Sequence, residues 1–230
     1  MTFPPIPPHA PLCADVPPIK ECGEPLVSLP QYSPRLLVYP YYHAQKWHGS
    51  LPDCPVRESV AQLLARAADH LPPGFRLVIL DGWRPLSVQQ ALFDQVKQSL
   101  LEQNWTDGAA LEEELCRYVA KPSADPYRPP RHLTGGAVDL TIAGPDGWLD
   151  MGTSFDDFSE RARTRFFEEV RMNDEDTRQI RDNRRLLYHV MTDAGFTNYP
   201  EEWWHYDYGN QAWAATKGLP AARYGGITSR

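Results

Sequence analysis

An α+β fold, one domain built from a small, mostly antiparallel sheet flanked by helices, is predicted by three observations. Apolar residues recur at helical spacing in three well-separated stretches, and short β-branched or aromatic runs lie between them. The chain of 230 residues is 42% hydrophobic and 23% charged, a globular composition with enough apolar material for one core.

In chain order, residues 1–30 form a proline-rich extension carrying Pro4, Pro5, Pro7, Pro8, Pro11, Pro17 and Pro18. It is expected to be extended against the main domain, residues 31–230, or partly disordered. Pro55–His70 places Val56, Val60, Leu63, Leu64 and Ala67 on one helical face and stops at Leu71-Pro72-Pro73-Gly74. Phe75–Leu80 is apolar and β-branched, a buried strand leading into Asp81-Gly82-Trp83-Arg84-Pro85. A helix starts near Ser87 as N-cap, with Val88, Ala91, Leu92, Val96 and Leu100 inward, and another spans Ala109–Ala120. Lys121–Arg131 is a polar, proline-rich loop. Ala137–Ile142 is a strand that Pro145-Asp146-Gly147 turns. Glu175–Ala194 is the last long helix, with Ile180, Leu187, Val190 and Met191 on one face, and a strand follows over Trp203–Tyr208.

A net charge of −7 gives no electrostatic reason to expect nucleic acid or an anionic membrane as partner. No run of about 20 apolar residues exists to span a bilayer. The opening residues lack the basic and apolar regions of a secretory signal, and Cys13, Cys22, Cys54 and Cys116 form no Cys-x-x-Cys pair. Free thiols and a cytoplasmic location are therefore expected. Oligomeric state leaves no mark in the sequence.

The segment from Arg131 to Thr141 carries the most chemical information. Gly135-Gly136 permits a tight turn at positive φ, and the strand after it puts Asp139 on one face with Ala137 and Thr141 while Val138 and Leu140 point to the other. A hairpin-like return brings His132 beside Asp139, and the small Ala137 leaves room for a cation. Taken alone, this spacing also fits a surface turn. A second segment, Tyr199 to Tyr208, adds His205 with Glu201 and Glu202 just before it. A zinc hydrolase needs three protein ligands, an open position for water and a nearby carboxylate to take the proton. Two His and one Asp leave a zinc site with net charge near +1, which lowers the pKa of bound water toward about 7. Regular strand periodicity puts Glu201, not Glu202, on the face of His205, so placing Glu202 at the site requires irregular backbone after Pro200. Spacing alone leaves the two tied.

His132-x-x-Gly135-x-Ala137-x-Asp139, followed by Glu202-Trp203-Trp204-His205, resembles the paired motif of the D-Ala-D-Ala metallopeptidases. Within that family it is most similar to the zinc D-alanyl-D-alanine dipeptidases of the vancomycin-resistance type. Asp81–Pro85, Asp150–Asp156 and Tyr206–Asn210 resemble further family segments in the family's order, so the resemblance covers about residues 55–213. It implies one zinc ion at the sheet cleft bound by His132, Asp139 and His205, with Glu202 as general base. It also implies that Arg84 stabilises the developing oxyanion and that Asp156 holds the free amino terminus of a small dipeptide substrate. Two departures stand out. Pro130 occupies the position, two before the first histidine, where the family usually has serine, and Tyr39–Gly49 matches only loosely. The same metal site is also compatible with a D,D-carboxypeptidase acting on peptidoglycan peptides, or with a non-catalytic protein stabilised by zinc. His9, His43, His48, His70 and His189 carry no site signal, while Asp81 either orients Arg84 or ends the strand, and Asp207 is either a partner for a histidine or a solvated strand residue.

Overall fold

A computed structural model describes residues 3–9, 16–170 and 174–228. Its main sheet runs, in spatial order, Leu36–Val38, Arg76–Asp81, Ala137–Gly144, His205–Asp207 and Thr197–Asn198. The first pair is parallel and the others antiparallel, and Gly147–Trp148 folds back onto the end of Ala137–Gly144 through the Pro145-Asp146 turn. This is the α+β, mostly antiparallel architecture that the sequence predicts.

Ala137–Gly144 is the centre of the molecule. All eight of its residues are buried, so the alternation expected of a half-exposed strand is replaced by cover on both faces. On one face Val138, Leu140 and Ile142 join Leu77, Ile79, Leu64 and Leu187 in the core. Each such fully buried aliphatic side chain stabilises the fold by ~1.5–3 kcal/mol. The helices Glu58–Asp69 and Glu175–Asp193 pack on each other and supply Leu64, Ala67, Leu187 and Met191.

Helix boundaries follow local chemistry. Glu175–Asp193 is capped by Asp174, whose carboxylate accepts from the backbone N–H (2.8 Å) and hydroxyl (3.0 Å) of Thr177. Leu86–Glu102 begins two residues earlier than expected: Pro85 occupies the N-cap with no side-chain bond, and Ser87 lies inside the first turn. The buried stripe Val88, Leu92, Val96, Leu100 steps by four, which carries Ala91 to the solvent side rather than inward. The helix Ala109–Tyr118 packs beside it.

The described parts of the proline-rich extension lie against the body. Ile6 is fully buried, its backbone N–H donating to Glu168 and its carbonyl accepting from Arg165. His189 contacts Pro4, and Lys20 and Cys22 bond in backbone fashion to Ala222 and Arg223. Cys22, Cys54 and Cys116 are unpaired, and Cys13 lies outside the described residues. Among the described residues no helix is long and apolar enough to cross a membrane.

Candidate active site

Three neighbouring strands each contribute one polar residue at the same level. Asp81 is opposite Asp139, and Asp139 is opposite His205, forming a cross-strand row. A bulge between Ile79 and Asp81 sets the first of these into register. His132 arrives from a 3-10 turn, Arg131–Thr134, that ends on Gly135 at φ 69°. Gly136 must be bare for a different reason: a Cβ there would stand 2.4 Å from the Tyr208 carbonyl. The two glycines thus return the chain sharply enough to hang His132 over the row.

The inner atoms converge. His132 Nε2 lies 3.2 Å from His205 Nδ1, His205 Nδ1 3.0 Å from Asp139 Oδ1, and His132 Nε2 3.3 Å from Asp139 Oδ2. All three residues are buried, and their donor atoms fall within 4.8 Å of one another. Zinc bonds of about 2.0–2.1 Å in tetrahedral array require donors roughly 3.3 Å apart, so this triangle is already of the right size.

The outer atoms determine what the inner ones are. His132 Nδ1 donates to the Gly82 carbonyl (2.9 Å), and His205 Nε2 donates to Asp207 Oδ1 (3.1 Å). Each imidazole has then committed its N–H outward and turns a lone pair inward. Two lone pairs and a carboxylate facing one another at these distances repel unless a positive charge lies between them. The site attracts positive charge: burial opposes charge on His205, yet Asp207 and Asp139 outweigh it and push the imidazole up to about 10, so that without an ion a proton takes the inner position a cation would occupy. Asp139 is held well below the usual carboxylate range against the cost of burial, by His132 and His205. The donor set is suited to a divalent cation, and zinc is the cofactor that fits it.

Around this triangle the structure brings together Glu202, Arg84 and Asp156. Glu202 is reached through a turn, not a strand: residues 200–204 are irregular, and the strand begins only at His205. The Glu202 carboxylate comes 3.7 Å from His205 Nδ1, whereas Glu201 turns away to Arg117 at 3.6 Å. The tie left by strand periodicity is resolved by that irregular backbone. Burial pushes the Glu202 carboxyl up to about 8, with His205 pulling the other way; a divalent ion adds to that downward pull.

Arg84 is buried, and three of its donors are engaged: Nε to Asp81 (2.7 Å), Nη1 to Gln89 (3.1 Å) and Nη2 to Asp139 (3.2 Å). Of five N–H groups, two are left for a ligand. Asp156 adopts left-handed backbone (φ 58°) and accepts from the Tyr42 hydroxyl at 2.8 Å. Burial pushes its carboxyl up to about 7 although Arg84 draws it down. All six residues line one cleft of about 110 Å³, together with Tyr199, Arg131 and Arg117.

Several participants escape sequence reasoning. Tyr42, in the segment that matches the family loosely, lies under the Arg84 guanidinium at 4.9 Å and buttresses Asp156. Gln89 passes from Arg84 to the Ala120 carbonyl. Asn198 donates to the carbonyls of Glu202 (3.1 Å) and His205 (3.0 Å), and Thr164 donates to Asn198 (2.7 Å), so this pair braces the Glu202 turn. No local pattern could have marked these residues; only the fold brings them near. His43 and His48 are exposed.

Known proteins similar to this chain are peptidases acting on D-Ala-D-Ala or related D,D-peptides. Residues 48–220 match a peptidase family described as D-Ala-D-Ala dipeptidase. A D-alanyl-D-alanine dipeptidase of Synechocystis sp. is 30% identical over 86% of this chain and 87% of its own length. One from Escherichia coli is 33% identical over 58% of this chain and 55% of its own. A solved vancomycin-resistance D,D-pentapeptidase in complex with Zn(II) superposes on 73% of this chain and 82% of its own at TM-score 0.42 and 20% identity. With the match running unbroken across the donor triangle, Arg84 and Glu202, the chain belongs to the D-Ala-D-Ala dipeptidase family of zinc peptidases.

Proposed function

We propose that the chain hydrolyses a small D,D-dipeptide such as D-Ala-D-Ala, with one zinc ion held by His132, Asp139 and His205. The observation that carries this reading is the inward-facing donor triangle with Glu202 and Arg84 on its rim. When bound, zinc polarises the scissile carbonyl and makes water acidic enough to be deprotonated near neutral pH.

The protein's own groups do the rest. Asp156 receives the substrate's ammonium group, which selects for a free amino terminus. Glu202 takes a proton from the attacking water as its oxygen bonds to the carbonyl carbon. Arg84 donates from its two remaining N–H groups to the negative charge that develops on the former carbonyl oxygen. Glu202 then returns the proton to the departing amine as the C–N bond breaks. The cleft that would hold the substrate has a volume of about 110 Å³. Residues 31–230 form the catalytic domain and 1–30 an extension, and the unpaired Cys22, Cys54 and Cys116 accord with a cytoplasmic setting.

The test is Glu202→Gln. Turnover of D-Ala-D-Ala should fall by about 10²–10⁴-fold, with zinc content unchanged by elemental analysis. Turnover close to that of the parent would remove Glu202 from the role of base. A parallel panel of L,L, D,D and mixed dipeptides, and a peptidoglycan-type pentapeptide, defines the substrate.

A further inference from the structure

We propose that Arg131 binds the carboxylate end of the substrate. The inference rests on the proposed function, in which the substrate is a small peptide free at both ends. Such a molecule is a zwitterion, and Asp156 answers only its positive end.

Three arginines line the cleft. Arg84 is held between Asp81 and Asp139, and its remaining donors serve the reacting oxygen. Arg117 is already surrounded by Glu114 (3.1 Å), Glu160 (3.4 Å) and Glu201 (3.6 Å), and it is largely in solvent. Arg131 differs from both. Its Nη1 donates to Asp207 Oδ2 at 2.9 Å, and its guanidinium lies over the Tyr199 ring at 4.2 Å. Nε and Nη2, which carry three of its five N–H groups, have no protein partner among the described residues. The side chain is 29% exposed, accessible from the cleft yet fixed.

Its counter-ion does not satisfy it. Asp207 also accepts from His205 (3.1 Å) and Asn210 (2.6 Å), so one carboxylate is shared among three donors. A planar guanidinium, stacked on one face and anchored at one nitrogen, presents its free edge with little rotamer freedom left to lose, which is how Arg recognises a carboxylate in two-pronged fashion.

The placement is also right. Asp156 reaches the donor triangle through Tyr42 and Arg84 at the Asp139 corner. Arg131 reaches it through Asp207 at the His205 corner. Arg131 and Asp156 thus approach the triangle from different corners, and both line the same cleft. The neighbouring Pro130 has no side-chain donor, and Arg131 is the next residue.

The experiment compares a dipeptide with its C-terminal amide. The parent enzyme should favour the free acid by tenfold or more in kcat/KM, and calorimetry on zinc-loaded Glu202→Gln protein should show the same preference in binding. Arg131→Met should raise KM for the acid at least tenfold, leave the amide and kcat nearly unchanged, and retain zinc affinity. Arg131→Lys should restore part of the loss, and it serves alone if the Met variant does not fold. Equal losses on acid and amide, or a fall in zinc affinity alongside them, would show that Arg131 only props Asp207 and would overturn the proposal. So would a parent enzyme with no preference for the acid in turnover or binding. The acid-to-amide ratio is blind to chirality and is read on whichever dipeptide is cut, so failure of D,D activity and failure of the Arg131 assignment are separate results.

Discussion

Asp207→Asn isolates the contribution of a residue that never touches the metal. In the parent, Asp207 Oδ1 accepts from His205 Nε2 at 3.1 Å and from Asn210, while Oδ2 accepts from Arg131 at 2.9 Å. An asparagine has one oxygen for these three donors, and its NH₂ must face either Arg131 or His205, donor against donor, in a buried site. The imidazole also loses the negative charge that makes its inner nitrogen a strong ligand. Loss of an outer partner of this kind weakens metal binding by about 10–100-fold, or ~1.4–2.7 kcal/mol. Arg131 and His205 outweigh burial and hold Asp207 well below the usual carboxylate range, so it stays ionised through mildly acidic pH and the loss should be present there too. The assay is zinc competition against a chromophoric chelator, with kcat measured separately at saturating zinc and folding checked by near-ultraviolet circular dichroism. A folded variant whose zinc dissociation constant stays within about twofold of the parent's would refute the argument that the outer N–H bonds define the donor triangle.

Two further outcomes follow from the site. Asp156, raised to about 7 by burial, binds an ammonium group only when ionised, so KM for a dipeptide should rise as pH falls through that region. The zinc charge moves the midpoint down, not up, and Asp156→Asn should flatten this limb of the pH–KM profile. Asn198→Ala removes two of the bonds that hold the Glu202 turn and leaves the Thr164 hydroxyl without its Asn198 partner. Steady-state kinetics should show kcat down by about tenfold or more with KM little changed, since a base displaced by ~1 Å can cost 10²-fold. An unaltered kcat would mean the turn keeps its shape without that brace.

The contrast between Glu202 and Tyr42 shows what could be read in advance. Helical stripes such as Val88–Leu92–Val96–Leu100 follow from the 3.6 periodicity, and Arg76–Asp81 from a short unbroken apolar run, both local properties. The donor set was legible through the family resemblance of the two segments, since the spacing of His132 and Asp139 alone also fits a surface turn. The choice between Glu201 and Glu202 was not, because it depends on a turn braced by Thr164 and Asn198, the former nearly forty residues earlier. Tyr42 meets Asp156 across 114 positions, and Arg131 meets Asp207 across 76; no window of sequence contains either pair. The Ser87 cap failed for a simpler reason: Pro85 already occupies the helix start, its fixed φ doing what a capping side chain would otherwise do.

The row formed by Asp81, Asp139 and His205 makes strand alignment and metal binding one event. His205–Asp207 is only three residues long, too short to specify its own pairing strongly, and a slip by a single position would rotate His205 away and present Trp204 or Tyr206 instead. A bound ion would therefore act as a clasp across the sheet, favouring the one alignment in which His132, Asp139 and His205 converge. Stripping it should loosen the pairing of this strand with Ala137–Asp139 first, leaving the helices and the Arg76–Asp81 side of the sheet in place.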